Sequence, residues 1–164
     1  MQPKTVGFIG FSGSGKTTLA TAVAAELVRR GHRIAALKNA HHGMDIDRPG
    51  KDSWRYREAG AKQVIIRSDC RWAMLAETPE PPSVDELLAR FDGADIILVE
   101  GFKNEGSFPK IEVRRKAVSE GKPRLSEGRG EVVAVASDWD EEGTGVPRLD
   151  INDPSAVADF IEKL

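Results

Sequence analysis

Gly10-Phe11-Ser12-Gly13-Ser14-Gly15-Lys16-Thr17-Thr18 decides the fold. Two glycines with four residues between them, followed by lysine and a hydroxyl residue, form a phosphate-binding pattern. The flanks agree with it. Val6-Gly7-Phe8-Ile9 reads as a short buried strand, and from Leu19 to Arg30 apolar residues recur at helical spacing. Phosphate binding needs this order of strand, glycine loop and helix. Glycine lets the backbone take positive φ and approach a phosphate closely, while the loop amides and the helix N-terminus supply partial positive charge. Lys16 is placed to reach the β- and γ-phosphates, and the Thr17 hydroxyl to ligate Mg²⁺. The stretch predicts a nucleoside triphosphate site.

Working outward, Gly31 stops the helix and Ile34-Ala35-Ala36-Leu37 reads as a second buried strand. A polar loop follows from Asn39 to Asp52, with two histidines and three aspartates, longer than compact domains usually carry without a function. Ser53–Ala59 predicts a short helix ending at Gly60, then strands at Gln63–Ile66 and Trp72–Leu75. Three prolines in Thr78–Pro82 break the pattern before Ser83 and Glu86, a capping box opening a helix through Ala89. Ile96–Val99 is a clear buried strand ending at Glu100-Gly101, and Val132–Ala136 is another. Between them lies Lys103–Glu131, glycine-rich and charged, in which Ile111 and Val113 alternate with Glu112 and Arg114 as in a half-buried strand. Asp153 and Pro154 open a C-terminal helix. Apolar strands alternating with helices predict a three-layer α/β fold, a mostly parallel sheet covered on both faces. The whole chain, 1–164, reads as one domain, with 103–131 as an added β-ribbon and loop excursion.

Composition excludes several classes. With 164 residues, 40% apolar and 30% charged, the chain is long enough for a continuous core. A net charge of −2 gives no general surface for nucleic acid or membrane. Cys70 is the only cysteine, so neither an internal disulfide nor a cysteine-built zinc site is expected. No apolar run nears the roughly 20 residues of a membrane span, and Met1-Gln2-Pro3-Lys4 leads straight into the first strand without a leader. The expectation is a cytoplasmic protein.

Ligands of such a sheet sit at the carboxyl ends of its strands, which sorts the acidic residues. Asp95 precedes its strand and falls at the wrong end. Glu100 falls at the right end, suited to holding Mg²⁺ through water or to positioning water, with a plain surface carboxylate as the alternative. His41-His42-Gly43-Met44-Asp45-Ile46-Asp47 admits three readings: transition-metal ligands, a segment meeting the γ-phosphate and Mg²⁺, or a solvated loop. Mg²⁺ prefers oxygen, so Asp45 and Asp47 suit it and the histidines do not. Lys51, Asp52, Ser53 and Arg55 continue the loop with groups suited to anions.

Together these residues resemble a family. Gly10–Thr18, Leu37-Lys38, His41-His42, Asp45-Ile46-Asp47, Pro49-Gly50-Lys51-Asp52-Ser53, Ala59-Gly60-Ala61, Arg71-Trp72 and Val99-Glu100-Gly101-Phe102-Lys103 are similar to the MobB-like family of P-loop GTPases, adapters of molybdopterin-guanine dinucleotide biosynthesis. The likeness runs through Ala136-Ser137-Asp138 to Leu149–Asp153 and departs at Asn39, where histidine is expected in many relatives. The resemblance implies a P-loop NTPase fold, GTP and Mg²⁺ as cofactors, slow hydrolysis and a homodimer. It also implies partnership with the molybdopterin guanylyltransferase and other molybdenum cofactor biosynthesis proteins, with molybdopterin itself a further candidate ligand. The expected nucleotide set is Gly10, Ser12, Gly13, Ser14, Gly15, Lys16, Thr17 and Thr18, joined by Lys51 and by Asp138, whose acceptor-only carboxylate suits guanine's two adjacent donors. Asp140 and Asp150 are alternatives to Asp138. Thr17, Asp47 and Glu100 are the expected metal set, and Lys16 and Glu100 the expected catalytic pair. The dimer is expected to use the Ile111–Val113 strand. A small-molecule kinase with a lid at 123–129, and a GTP-driven metal-delivery protein using His41 and His42, remain alternatives at this stage.

Overall fold

The computed structural model describes residues 2–40, 46–140 and 143–164. His41, His42 and Asp45 therefore lie outside the described residues. Where the sequence reads as one domain, the structure divides the chain into two compact units, Met1–Asn39 with Val84–Leu164, and Ala40–Ser83. The boundaries fall at the polar loop and just after the proline-rich Thr78–Pro82 segment.

The larger unit is built on a six-stranded parallel sheet. Its strands are β1 (Lys4–Ile9), β2 (Ile34–Lys38), β5 (Ile96–Glu100), β6 (Lys110–Arg114), β7 (Val132–Ser137) and β8 (Arg148–Asp150), in the spatial order β2-β5-β1-β6-β7-β8. Every neighbouring pair is parallel. Burial on both faces explains why β5 reads as an unbroken apolar run. Ile96 and Leu98 point into a core shared with helices α1 (Lys16–Arg29) and α5 (Pro154–Lys163), contributed by Leu19, Val23, Leu27, Val157 and Ile161. Ile97 and Val99 point the other way, against Val84, Leu87 and Leu88 of helix α3 (Val84–Leu88) and against Phe102 and Phe108. Helices on both sides of a parallel sheet make the expected three layers. The Asp153 carboxylate caps α5 by accepting from Ala156 N at 3.0 Å.

β6 corrects the reading of 103–131. It is no half-exposed ribbon but an interior strand between β1 and β7, buried along its whole length. Ile111 and Val113 face the α1–α5 core. The alternate residues Lys110, Glu112 and Arg114 face the second side, where backbone groups of the flanking segments meet them. Arg114 Nη2 donates to Ser119 O at 2.9 Å and Lys122 O at 3.1 Å, and Nη1 to Pro123 O at 3.3 Å. Glu112 accepts from Leu125 N at 3.0 Å and Ser126 N at 2.9 Å, and pairs with Arg114 at 3.0 Å. Lys110 donates to Gly106 O at 2.9 Å. A buried backbone group must find a partner, and here the strand's own charges supply it. Residues 123–126, expected as part of a kinase lid, are instead pinned to the sheet. The short helix α4 (Lys116–Ser119) and β8 had no periodicity long enough to read.

The smaller unit contains helix α2 (Asp52–Glu58) and the antiparallel hairpin of β3 (Gln63–Arg67) and β4 (Trp72–Ala76), with Ile65 opposite Met74. The added hairpin of this fold is therefore at 63–76, not within 103–131.

Candidate functional site

The phosphate loop is closed by sterics. Gly10 has φ +151°, and a Cβ there would run into the Val113 carbonyl oxygen and come within 2.8 Å of Ser14 Oγ. Gly15 has φ +89° and forms the N-terminal cap of α1, with no side-chain cap and no acidic residue in the helix's first turn. That leaves the positive end of a 14-residue helix open to an anion. Ser12, Gly13, Thr17 and Thr18 are exposed along this rim, whereas Ser14 is buried beneath it.

Lys16 lies across the loop, its Nζ donating to Phe11 O at 2.8 Å and Gly10 O at 3.1 Å. Its pKa is lowered, chiefly by burial, which the Glu100 carboxylate opposes and the Lys38 ammonium reinforces. β2, β5 and β1 end in register, Lys38 beside Glu100 and Glu100 beside Phe8. Consequently Thr17 Oγ1 donates to Glu100 Oε1 at 2.7 Å, and Lys38 Nζ sits 3.2 Å from Thr17 Oγ1 and 3.3 Å from Glu100 Oε1. A hydroxyl and a carboxylate facing each other form an oxygen donor set, which fits a hard cation such as Mg²⁺. Just beyond, Gly101 (φ +92°) and Phe102 (φ +53°) turn the chain sharply, with Phe102 anchored in the second core. Asp95, at the opposite end of β5, is held by Arg33 at 2.7 Å, away from this chemistry.

Two cations join the site: Lys38, marked in the sequence only as part of the family likeness, and Arg115, which the motifs did not single out. Lys38 completes β2 at the carboxyl end of the sheet. Arg115 follows β6, and its guanidinium Nη2 lies 3.1 Å from where a Gly15 Cβ would stand. The same strand-end rule that selects Glu100 finds both, once β6 is known to be interior. Asp138 follows β7 at this end, but its Oδ1 accepts from Lys116 N at 2.7 Å, and its Oδ2 lies 3.9 Å from Arg115 Nη1. It holds the start of α4 as well as facing the loop's cation.

Asp47 and Lys51 lie in the smaller unit. Asp47 is buried, accepting from Ser53 Oγ and, at 3.0 Å, from Arg57 Nε, so both its oxygens are engaged locally. Lys51 is exposed at the N-terminal cap of α2. Among the described residues no group of three or more His, Cys, Asp or Glu side chains is arranged to hold a metal. No helix among them is long and apolar enough to cross a membrane.

Residues 5–138 match the family model described as molybdopterin guanine dinucleotide synthesis protein B, MobB. The chain is 45% identical to the molybdopterin-guanine dinucleotide biosynthesis adapter protein of Haemophilus influenzae over 161 residues, covering 96% of this chain and 86% of the relative. It is 43% identical to the protein of that name from Escherichia coli over 160 residues, covering 95% and 90%. Among solved structures, Bacillus subtilis MobB superposes with a TM-score of 0.73 at 25% identity over 98% of each chain. A MobB homolog from Bacillus stearothermophilus superposes with a TM-score of 0.72 at 22% identity over 98% of this chain and 99% of that one.

Proposed function

The chain belongs to the MobB family, and from that premise we propose that it is a GTP-binding adapter of molybdopterin-guanine dinucleotide biosynthesis with a weak, Mg²⁺-dependent GTPase activity. Thr17 Oγ1 at 2.7 Å from Glu100 Oε1, at the open end of α1, is the observation that carries this reading. The loop amides and the α1 N-terminus bind the phosphates, and Lys16 leaves its carbonyls to neutralise the β,γ-phosphate charge. Thr17 and Glu100 would hold Mg²⁺, which shields the phosphate oxygens when bound. Glu100 also orients Thr17, and Lys38, 3.3 Å from Glu100 Oε1, helps hold the carboxylate in place. Asp47, with both oxygens engaged by Ser53 and Arg57, serves the smaller unit rather than the metal.

The adapter acts in the cytoplasm as a homodimer and works with the guanylyltransferase that joins GMP to molybdopterin. Slow turnover suits an adapter, whose bound state must outlast an encounter with a partner enzyme. No Asp-Xaa-Xaa-Gly-Gln segment is present to orient water. An arginine correctly placed on the γ-phosphate contributes about 10³–10⁵ in rate, and Arg115 lies beside Gly15, toward the helix end of the loop. Phosphate release from GTP should therefore stay below roughly one turnover per minute and need no acceptor. Turnover each second, or rapid transfer to a small acceptor, would replace the adapter with an enzyme of another kind.

A further inference from the structure

Residues 120–124, Glu127, Arg114 and Trp139 line an open pocket of about 580 Å³ in the larger unit. It adjoins the phosphate loop, since the Lys122 ammonium lies over the Phe11 ring, 4.9 Å from its centroid. Its volume falls within the range of small-ligand pockets, and its walls are built in advance. Arg114 and Glu112 fix the backbone of residues 119–126 from below. The Trp139 carbonyl accepts from Ser137 Oγ and Arg148 Nε, each at 2.8 Å. Arg114 lies against the indole, 5.8 Å from its centroid.

The lining has a chemical direction. An indole offers a stacking surface for a planar ring. The Glu120 and Glu127 carboxylates are acceptor-only and the Lys122 ammonium is a donor, while Arg124 Nη1 already donates to Gly143 O. A ring that carries an N–H and an amine side by side, next to a carbonyl, matches such a mixed wall. Adenine, with no such donor pair and no carbonyl, does not.

We propose that this cavity seats a planar 2-amino-4-oxo bicyclic ring. Guanine and the pterin share that edge, and the Lys122–Phe11 contact favours the guanine of the triphosphate held by the loop. The inference rests on the proposed phosphate site and deepens it. It moves base recognition from Asp138, which is engaged with Lys116 N, to the wall beyond it.

Calorimetry on the native protein, Trp139→Ala, Trp139→Phe and the double variant Glu120→Gln/Glu127→Gln tests this with three probes: Mg²⁺-GTP, Mg²⁺-tripolyphosphate and 6-hydroxymethylpterin. For a guanine seat, GTP binds at least about tenfold more weakly to Trp139→Ala and to the double variant. Trp139→Phe keeps most of the affinity, and tripolyphosphate binding is unchanged throughout. For a pterin seat, GTP is insensitive and the pterin loses affinity in the same variants. If the native protein binds neither GTP nor tripolyphosphate, the phosphate site falls, and the pterin probe still judges the cavity. Native-like GTP affinity in both altered proteins, with no pterin binding that depends on them, overturns the proposal.

Discussion

Arg114 shows how much one side chain can organise. It is buried, paired with buried Glu112, and donates to three carbonyls of the segment that covers its strand. A buried ion pair stabilises little against an apolar replacement of both partners. Removing one partner leaves an uncompensated charge and costs about 3–5 kcal/mol. Here the loss also strips partners from the carbonyls of Ser119, Lys122 and Pro123. Arg114→Ala should therefore lower unfolding stability by at least about 3 kcal/mol in urea. Arg114→Lys should rescue it poorly, because an ammonium cannot span the same fork of acceptors. Stability within about 0.5 kcal/mol of native would mean that the segment is held by something else.

At the scale of elements, the glycine loop, α1, β5 and α5 were readable because each combines a strong period with a cap or motif. β6 was not. Alternation of Ile111 and Val113 with charged residues is the same pattern whether the charged face meets water or a buried polar network, and periodicity cannot separate the two. Arg115 was missed for the same reason, since the end of an exposed ribbon has no claim on the phosphate loop. Lys38 carried, with Leu37, part of the family likeness, but nothing in the local pattern assigned it a role. The hairpin was readable as two strands but not as a separate sheet, because pairing partners leave no mark on local pattern. With β6 interior, the expected dimer loses its proposed strand, and β3–β4 becomes the better element. Ile65 and Trp72 are 67% and 69% exposed, and Met74, opposite Ile65, shares their face. A two-stranded sheet with one bare apolar face is marginal alone and is covered economically by a second copy. Light scattering should show a dimer at micromolar concentration for the native chain and a monomer for Ile65→Lys/Met74→Lys. A native monomer, or a variant that stays dimeric, would remove the hairpin from the interface.

For the whole molecule, the parallel sheet gathers at its carboxyl edge groups that are distant in sequence: Lys16 and Thr17 from the loop, Lys38 from β2, Glu100 from β5 and Arg115 from β6. Their chemistry suits a triphosphate and its cation, and the proposed adapter role depends on GTP being held there. Calorimetric titration of Mg²⁺-GTP into the native protein and into Lys16→Ala tests this most directly. A charge-assisted contact contributes about 1.5–3 kcal/mol, so the native chain should bind one GTP and the variant should bind at least about tenfold more weakly while melting at an unchanged temperature. Equal affinity in the two proteins would contradict the account.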